Sequence, residues 1–574
     1  MVVVAFGAID QSVNALEARE LDSQRQGARY ELRLGKLSVN FDPARDEDLI
    51  RLARIAGRRF EAEPEPGHDE KKLRRGLEEV QRLTERALRS SGDERIRVTT
   101  LLLETVAAVN NSQQPPVPGH LDFVQVPFAF VEHMHRPIGR GHSPANNLEA
   151  SGDPTPSTFW SHPEDIPAHD LYHGFGRTNI FQIKGKLCTY SKAKDSYGSN
   201  PGFEVSCDGA EFKVKFGEVS SEPFTARIFA ALGFHADPTD HASGITLCYD
   251  RRIFQEFHSR QPLKTRFTLF GVLPLYVQDL QKRYDPFAYI AWVELRDGTR
   301  WTGRELKAKL LRRSTRAHPE DDSANFRAEI EQQIARLVTV PANVQMKDTK
   351  SIGPWDFGQL DHAARRELRG AGLLAAWLGW FDTRFDNTRL RLLRHNGQNE
   401  LLHYFSDLGG GLGNTSGFLY WRGERPNAFP WEFTRALPIR GPSSAAQVRI
   451  TGYKPMAYTA AFAELTIDDA RWMARLIGQL TEKQILAALI ASGYSAAEVR
   501  LYQEKLVSRR DRMIGDLGLA SEIRLLRPQG VNRHVSYDPR VEGPMSIEVR
   551  DVGEVKAPVD DQRIVDGKLV AAER

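Results

Sequence analysis

Apolar and polar positions along this chain change their period from one stretch to the next. Residues 28–39 alternate, which predicts a strand or hairpin. Residues 46–59 and 69–90 repeat at helical period, with Asp69 placed as an N-cap before Glu70. Residues 95–109 read as an apolar helix, so residues 1–115 form a mostly helical N-terminal region. Residues 110–118 are rich in Asn, Gln and Pro and read as a linker, and residues 139–157 as a second loop.

From about Ser157 the pattern turns to short β-type runs. Residues 181–190, 203–207 and 211–216 are three of them, broken by Gly, Asn and Asp. Residues 222–232 are helical and stop at Gly233. Residues 245–249, 267–277 and 288–294 add further strands. Helices are predicted over 324–337 and, as one long apolar helix, over 359–380. Near the C-terminus three more follow. Thr481 with Gln484 and Ser495 with Glu498 have the spacing of capping boxes. Residues 535–574 read as strands or a tail.

Composition narrows the class. A hydrophobic content of 41% and a charged content of 27% exclude a disordered or collagen-like chain. The net charge of +3 gives no field that argues for nucleic acid or membrane binding. Basic clusters at 365–369 and 509–512 read as solvated helix faces. Cys188, Cys207 and Cys248 are an odd, widely spaced set without C-x-x-C, so they predict buried small apolar residues, not a disulfide framework or zinc site. No run approaches the ~18 apolar residues of a membrane span. The apolar start, Met1 to Ile9, reads as a strand or as the remnant of an export signal; the cytoplasm is the default expectation.

One constellation carries chemistry. Asp382 and Asn387 are spaced as D-x-x-x-x-N directly after the long apolar helix, and Asp407-Leu408-Gly409 follows about twenty residues on. Phosphoryl transfer asks for positioning and charge neutralisation. One carboxylate receives the acceptor proton, an Asn reaches a metal ion, and a second Asp binds the metals that bridge the phosphates. Upstream, Lys215 ends a strand and Glu222 opens a helix, as a phosphate-gripping lysine and its orienting glutamate would. Alternation puts Lys213 on the same strand face; Lys215 is preferred for its place before Phe216-Gly217. Segment 192–202 supplies Lys192, Gly198 and Gly202 in a polar turn whose amides would cover phosphates. Arg384, inside the Asp382 loop, is placed to stabilise phosphate charge or to pair with Asp382 or Asp386.

With these residues in view, the blocks FKVKFGEVSSEPFTARIFAALGF, GPWDFGQLDHAARRELRGAGLLAAWLGWFDTRFDN and LHYFSDLGGGLG resemble a group of largely uncharacterised bacterial kinase-like proteins. These are distantly similar to HipA-type kinases and, in their D-x-x-x-x-N and D-x-G arrangement, to phosphatidylinositol kinases. The resemblance covers roughly residues 155–517. It implies an α+β, two-lobed protein-kinase-like fold: a strand-rich lobe over 155–300, a helical lobe over 301–520, and a C-terminal segment over 521–574. It implies ATP with Mg²⁺ or Mn²⁺, a phosphate contact at Lys215 oriented by Glu222, a base at Asp382, and metal ligands at Asn387 and Asp407. Departures are visible: Trp380 and Phe381 stand where His-Arg precedes the kinase Asp, no A-P-E follows Asp407, and Asp386 is a ligand candidate beside Asn387.

Three functions fit: transfer of the γ-phosphate to a hydroxyl of a protein, peptide or small molecule; a nucleotide-binding pseudokinase scaffold; and nucleotidyl transfer. Other histidines point elsewhere. His133 and His135 form a bare H-x-H without a third ligand. His162, His169 and His173 read as loop residues, and Phe159 with Trp160 as a core plug.

Overall fold

The computed structural model describes residues 44–61, 70–112, 153–175, 185–194, 200–256, 285–311, 324–347, 350–358, 362–395, 398–413 and 459–526, with short strands and single residues between and beyond them. Gly198, His133, His135, Met1 to Ile9 and most of the C-terminal segment lie outside the described residues.

The hairpin expected near the N-terminus is β1 (Tyr30–Leu34) paired with β2 (Leu37–Phe41). Helices Asp46–Glu61, Glu70–Arg89 and Gly92–Ser112 follow. Leu52, Val80, Leu83, Leu102 and Val106 share one core with Ile352, Leu390 and Leu401. The N-terminal helices therefore pack on the three-stranded sheet formed by β14 (Ser351–Gly353), β15 (Thr388–His395) and β16 (Gln398–Phe405). The last helix runs into the expected linker, where Asn111 donates to the Pro354 carbonyl at 3.0 Å.

A nine-stranded sheet occupies the middle of the chain. It contains β3 (Leu187–Ala193), β4 (Gly202–Cys207), β5 (Ala210–Lys215), β6 (Thr239–Ala242), β7 (Thr246–Cys248), β10 (Ile290–Leu295), β11 (Arg300–Thr302), β12 (Ile334–Thr339) and β13 (Ala342–Met346). Their order is β11-β10-β12-β7-β3-β4-β5-β13-β6, with β3 and β7 parallel. Residues 267–277 fall on a separate hairpin of β8 (Thr265–Leu269) and β9 (Leu273–Val277). The helix Ser221–Ala231 leaves the end of β5 and is buried almost throughout.

Several expectations need correction. The helix over 324–337 ends at Gln333, and its tail is β12, a central strand paired with both β10 and β7. Ile334, Leu337 and Thr339 are its buried positions; pairing on both sides overrides the helical run before them. The helix over 359–380 is Arg366–Leu378, because Leu360 has a left-handed φ of 50° and a short turn at His362–Ala364 intervenes. The basic clusters are largely not solvated, Arg512 being the exposed exception. Arg366, Arg369, Arg509 and Arg510 are all buried, bonded to Asp469 or to helix-end carbonyls. Cys188 and Cys207 are joined as a disulfide across β3 and β4, since neighbouring antiparallel strands bring their Cα atoms to 4.4 Å; Cys248 is free.

Helices Ile467–Gln479, Glu482–Ala491, Ala496–Asp516 and Ala520–Leu526 surround the buried Arg366–Leu378 helix. Both expected capping boxes form, and Thr302 with Glu305 and Thr466 with Asp469 make two more among the described residues. Phe159 and Trp160 are core residues, as expected. His162, His169 and His173 sit in loops around a short turn at Ile166–Ala168. Among the described residues no helix is long and apolar enough to cross a membrane.

The segment after the Ser221–Ala231 helix is tied to the end of β16. The amide of Phe405 donates to the His235 carbonyl at 2.8 Å, and that of Asp237 to the Phe405 carbonyl at 2.9 Å. Burial lowers the His235 imidazole to a pKa of about 4. It stays neutral in the fold while the unfolded chain takes up a proton below its ordinary pKa of 6.5. Stability from this group is therefore intact above pH 6.5 and lost as pH falls towards 4, at up to about 1.4 kcal/mol per pH unit. His235→Phe should melt with a smaller drop between pH 7 and pH 5 than the wild type; an unchanged drop would show that His235 does not titrate in the fold.

Candidate functional site

The site is assembled where the C-terminal end of β5 meets the turn after β16. Register places Lys215 between Gly202 of β4 and Asn343 of β13. Its ammonium is buried and bonds Glu222 Oε2 at 3.1 Å, Glu222 Oε1 at 3.3 Å and Asp407 Oδ1 at 2.9 Å. Lysine, helix glutamate and the Asp of D-x-G thus meet at one atom, although Lys215 and Asp407 are 192 residues apart. Lys215 takes this position and Lys213 does not; Lys213 lies one strand repeat back, opposite Glu204 and Gln345.

The backbone is strained where this happens. Asp407 and Glu218 have φ of 51° and 56°, a region non-glycine residues seldom occupy. Glu218 is buried and accepts from Asn200 Nδ2 at 2.8 Å. A Cβ on Gly409 would lie 2.2 Å from its Oε2, so Gly409 is the residue that lets this carboxylate in. Glu218, Glu222 and Asp407 bring oxygen atoms within 4.8 Å of one another. Asn343 Nδ2 closes the other side by donating to Glu222 Oε2.

Burial and an unbalanced charge together shift the pKa values here. Burial, with Asp407 and Glu218 alongside, raises Glu222 to about 7 against the pull of Lys215. Burial would also raise Asp407, but the Lys215 and Lys194 ammonium groups hold it below the ordinary carboxylate range. Burial depresses the Lys215 pKa, yet Asp407 and Glu222 outweigh it and raise the group overall. The Lys213 ammonium is lowered by burial and then by Arg389 and Lys215. Asp407, at 37% exposure of its side chain, is the open side of the cluster; Glu222 at 1% is the closed side.

The Asp382 loop lies beside it. A Cβ on Gly410 would be 3.1 Å from that of Asp382. Asn387 Nδ2 donates to the Asp382 carbonyl at 3.0 Å, and the Ser406 amide to the Asn387 carbonyl at 2.9 Å. The loop is thereby tied to the residue preceding Asp407. Arg384 Nε bonds Asp382 Oδ1 at 2.9 Å and lies 3.5 Å from Asp386 Oδ1. Of the two roles expected for Arg384, the ion pair is the one seen.

Of two further candidates, Lys192 stands away from Lys215, while Gly202 lies opposite it in register. Lys192 faces Glu204 across β3 and β4 at 3.6 Å, with Lys347 on the other oxygen of Glu204. Gly202 is not in a turn: it is the first residue of β4, where a Cβ would lie 2.1 Å from the Val214 carbonyl oxygen. Close strand approach by itself requires a glycine at this position. Lys194, in the same segment, is the lysine that acts on Asp407. Glu218 and Asn343 are not found by sequence reasoning: Glu218 precedes the helix at a left-handed φ of 56°, and only strand register brings Asn343 in.

Three clustered carboxylates, Glu218, Glu222 and Asp407, around the Lys215 ammonium suit a divalent cation. Comparison with protein-family models, curated proteins and solved structures finds no match for this chain.

Proposed function

We propose that this chain is an atypical ATP- and Mg²⁺-dependent phosphotransferase acting on a hydroxyl, built as a two-lobed kinase-like fold. The observation that carries the reading is the meeting of Lys215, Glu222 and Asp407, with the Asp382–Asn387 loop bonded beside it. The nine-stranded sheet with Lys215 is then the nucleotide-gripping lobe, and the helices around Arg366–Leu378 the catalytic lobe.

In this reading Lys215 binds nucleotide phosphate oxygens, and Glu222 with Asn343 holds it in place. Asn387 and Asp407, with Asp386 beside them, would hold Mg²⁺ or Mn²⁺, which supplies charge neutralisation at the phosphates. Asp382 takes the proton of the acceptor hydroxyl as its oxygen bonds to the γ-phosphorus and the bond to ADP breaks. The acceptor is a protein, peptide or small-molecule hydroxyl.

A second reading has its own observation. Arg384 engages both oxygens of Asp382, at 2.9 and 3.4 Å, and a carboxylate so paired is a poor base. Nucleotidyl transfer or a pseudokinase scaffold would keep Lys215 and Asp407 without needing that base. Parallel incubations with γ-labelled and α-labelled ATP separate the three. Phosphotransfer labels acceptor or protein from the γ position, and Asp382→Asn removes that label while nucleotide binding persists. Label from the α position, or none with binding retained, overturns the phosphotransfer reading.

A further inference from the structure

A second polar cluster lies outside this site and has no part in its chemistry. Glu104 comes from the Gly92–Ser112 helix, His362 from the turn before the Arg366–Leu378 helix, and His403 from β16. All three are buried, at 4%, 1% and 0% exposure. His362 Nε2 stands 3.0 and 3.1 Å from the two Glu104 oxygens, and His403 Nε2 stands 3.2 Å from Oε2.

The outer nitrogens decide what this cluster can be. His362 Nδ1 faces the Asp356 backbone carbonyl, which only accepts, so Nδ1 carries the hydrogen. In a neutral ring the Nε2 lone pair then points at a carboxylate, and lone pair against anion is repulsive unless a cation lies between them. His403 Nδ1 meets Thr158 Oγ1 at 2.9 Å, a hydroxyl that can accept from it and so leave the Nε2 lone pair for a cation. Imidazoles fixed at Nδ1 by oxygen, with Nε2 converging on one carboxylate, are arranged as metal-ligating histidines are.

The spacing agrees. A ring centroid sits roughly 3.2 Å from a metal held by its Nε2 at about 2.0–2.1 Å. The two ring centroids are 5.6 Å apart with planes at 85°, which suits two imidazoles on one ion at an angle of roughly 120°. The three ligand groups bring donor atoms within 4.8 Å of one another. Phe159 stacks on His403 at 3.8 Å, and Trp355 packs edge-on to both rings, closing the surroundings.

We propose that Glu104, His362 and His403 form a structural zinc site that clamps the N-terminal helices onto the strand leading to Asp407. Two neutral imidazoles and one carboxylate are a donor set suited to Zn²⁺. Both Glu104 oxygens face the imidazoles, so a bidentate carboxylate would complete four donors; His403 stands four residues upstream of Asp407, and the ion has no part in phosphate chemistry. The proposal stands independently of the phosphotransferase reading.

The test uses the untagged full-length chain purified without chelators, with metal content read by inductively coupled plasma mass spectrometry. Roughly one zinc per chain is expected, retained in Asp407→Asn and lost in Glu104→Gln. Chelation should lower the melting temperature of the wild type, and added Zn²⁺ should restore it. Should Glu104→Gln not fold, Co²⁺ reconstitution of the chelated wild type reads the site directly, through the d–d bands of a low-symmetry nitrogen–oxygen site. A wild type that takes up neither Zn²⁺ nor Co²⁺, or zinc that remains in a folded Glu104→Gln, overturns the proposal. The first outcome would leave an imidazolium at His362 paired with Glu104.

Discussion

Asp407→Asn should reduce label transfer from γ-labelled ATP by roughly 10³-fold or more, the scale on which removing a charged group that stabilises developing charge is felt. Two losses combine in this variant. The carboxylate is the exposed member of the acidic cluster, and in the proposed mechanism it meets metal and phosphate. It also holds Lys215 at 2.9 Å, so its loss frees the lysine to lean wholly on Glu222. Metal-dependent nucleotide binding, read by calorimetry at fixed Mg²⁺, should weaken together with transfer. The fold should persist, because Asn is isosteric and the site is partly open. Transfer at more than a tenth of the wild-type rate in a folded Asp407→Asn protein would remove Asp407 from the proposed mechanism.

Asp469→Ala should destabilise the chain by about 3–5 kcal/mol, the usual cost of stripping one partner from a buried ion pair. Asp469 is fully buried and receives Arg366 Nε at 2.9 Å and Arg369 Nε at 2.6 Å. It also closes the capping box with Thr466. Removing it strands two guanidinium groups between the Arg366–Leu378 and Ile467–Gln479 helices and exposes a helix end. Chemical denaturation followed by circular dichroism measures the effect. A loss under 1 kcal/mol would mean that the two arginines find other partners or water. Activity should fall with stability here and not independently of it, since Asp469 touches no residue of the Lys215 cluster among its described contacts.

What could be read without coordinates was local. The three N-terminal helices, the helix after Lys215 and the two capping boxes depend on period and on side chains reaching their own first turn, so residues 46–59, 69–90 and 222–232 announce themselves. The spacings of Asp382 with Asn387 and of Asp407 with Gly409 are equally local, and they pointed to the segments that the structure brings together. Lys215 was separable from Lys213 only by its place at the strand end.

The rest was decided by tertiary contact. Residues 334–339 became a strand because β10 and β7 flank them, against a helical pattern upstream. Arg366, Arg369, Arg509 and Arg510 are charged, so the sequence alone assigns them to solvent; partners about a hundred residues away, or carbonyls at helix ends, make their burial affordable. Cys188 and Cys207 pair because β3 and β4 are neighbours in register. Glu104, His362 and His403 are separated by 258 and 299 residues, and no spacing rule reaches that far. Short-range periodicity and capping are properties of the chain itself. Which distant polar groups share a buried space is a property of how its layers pack, because only packing sets which charges must find one another away from water.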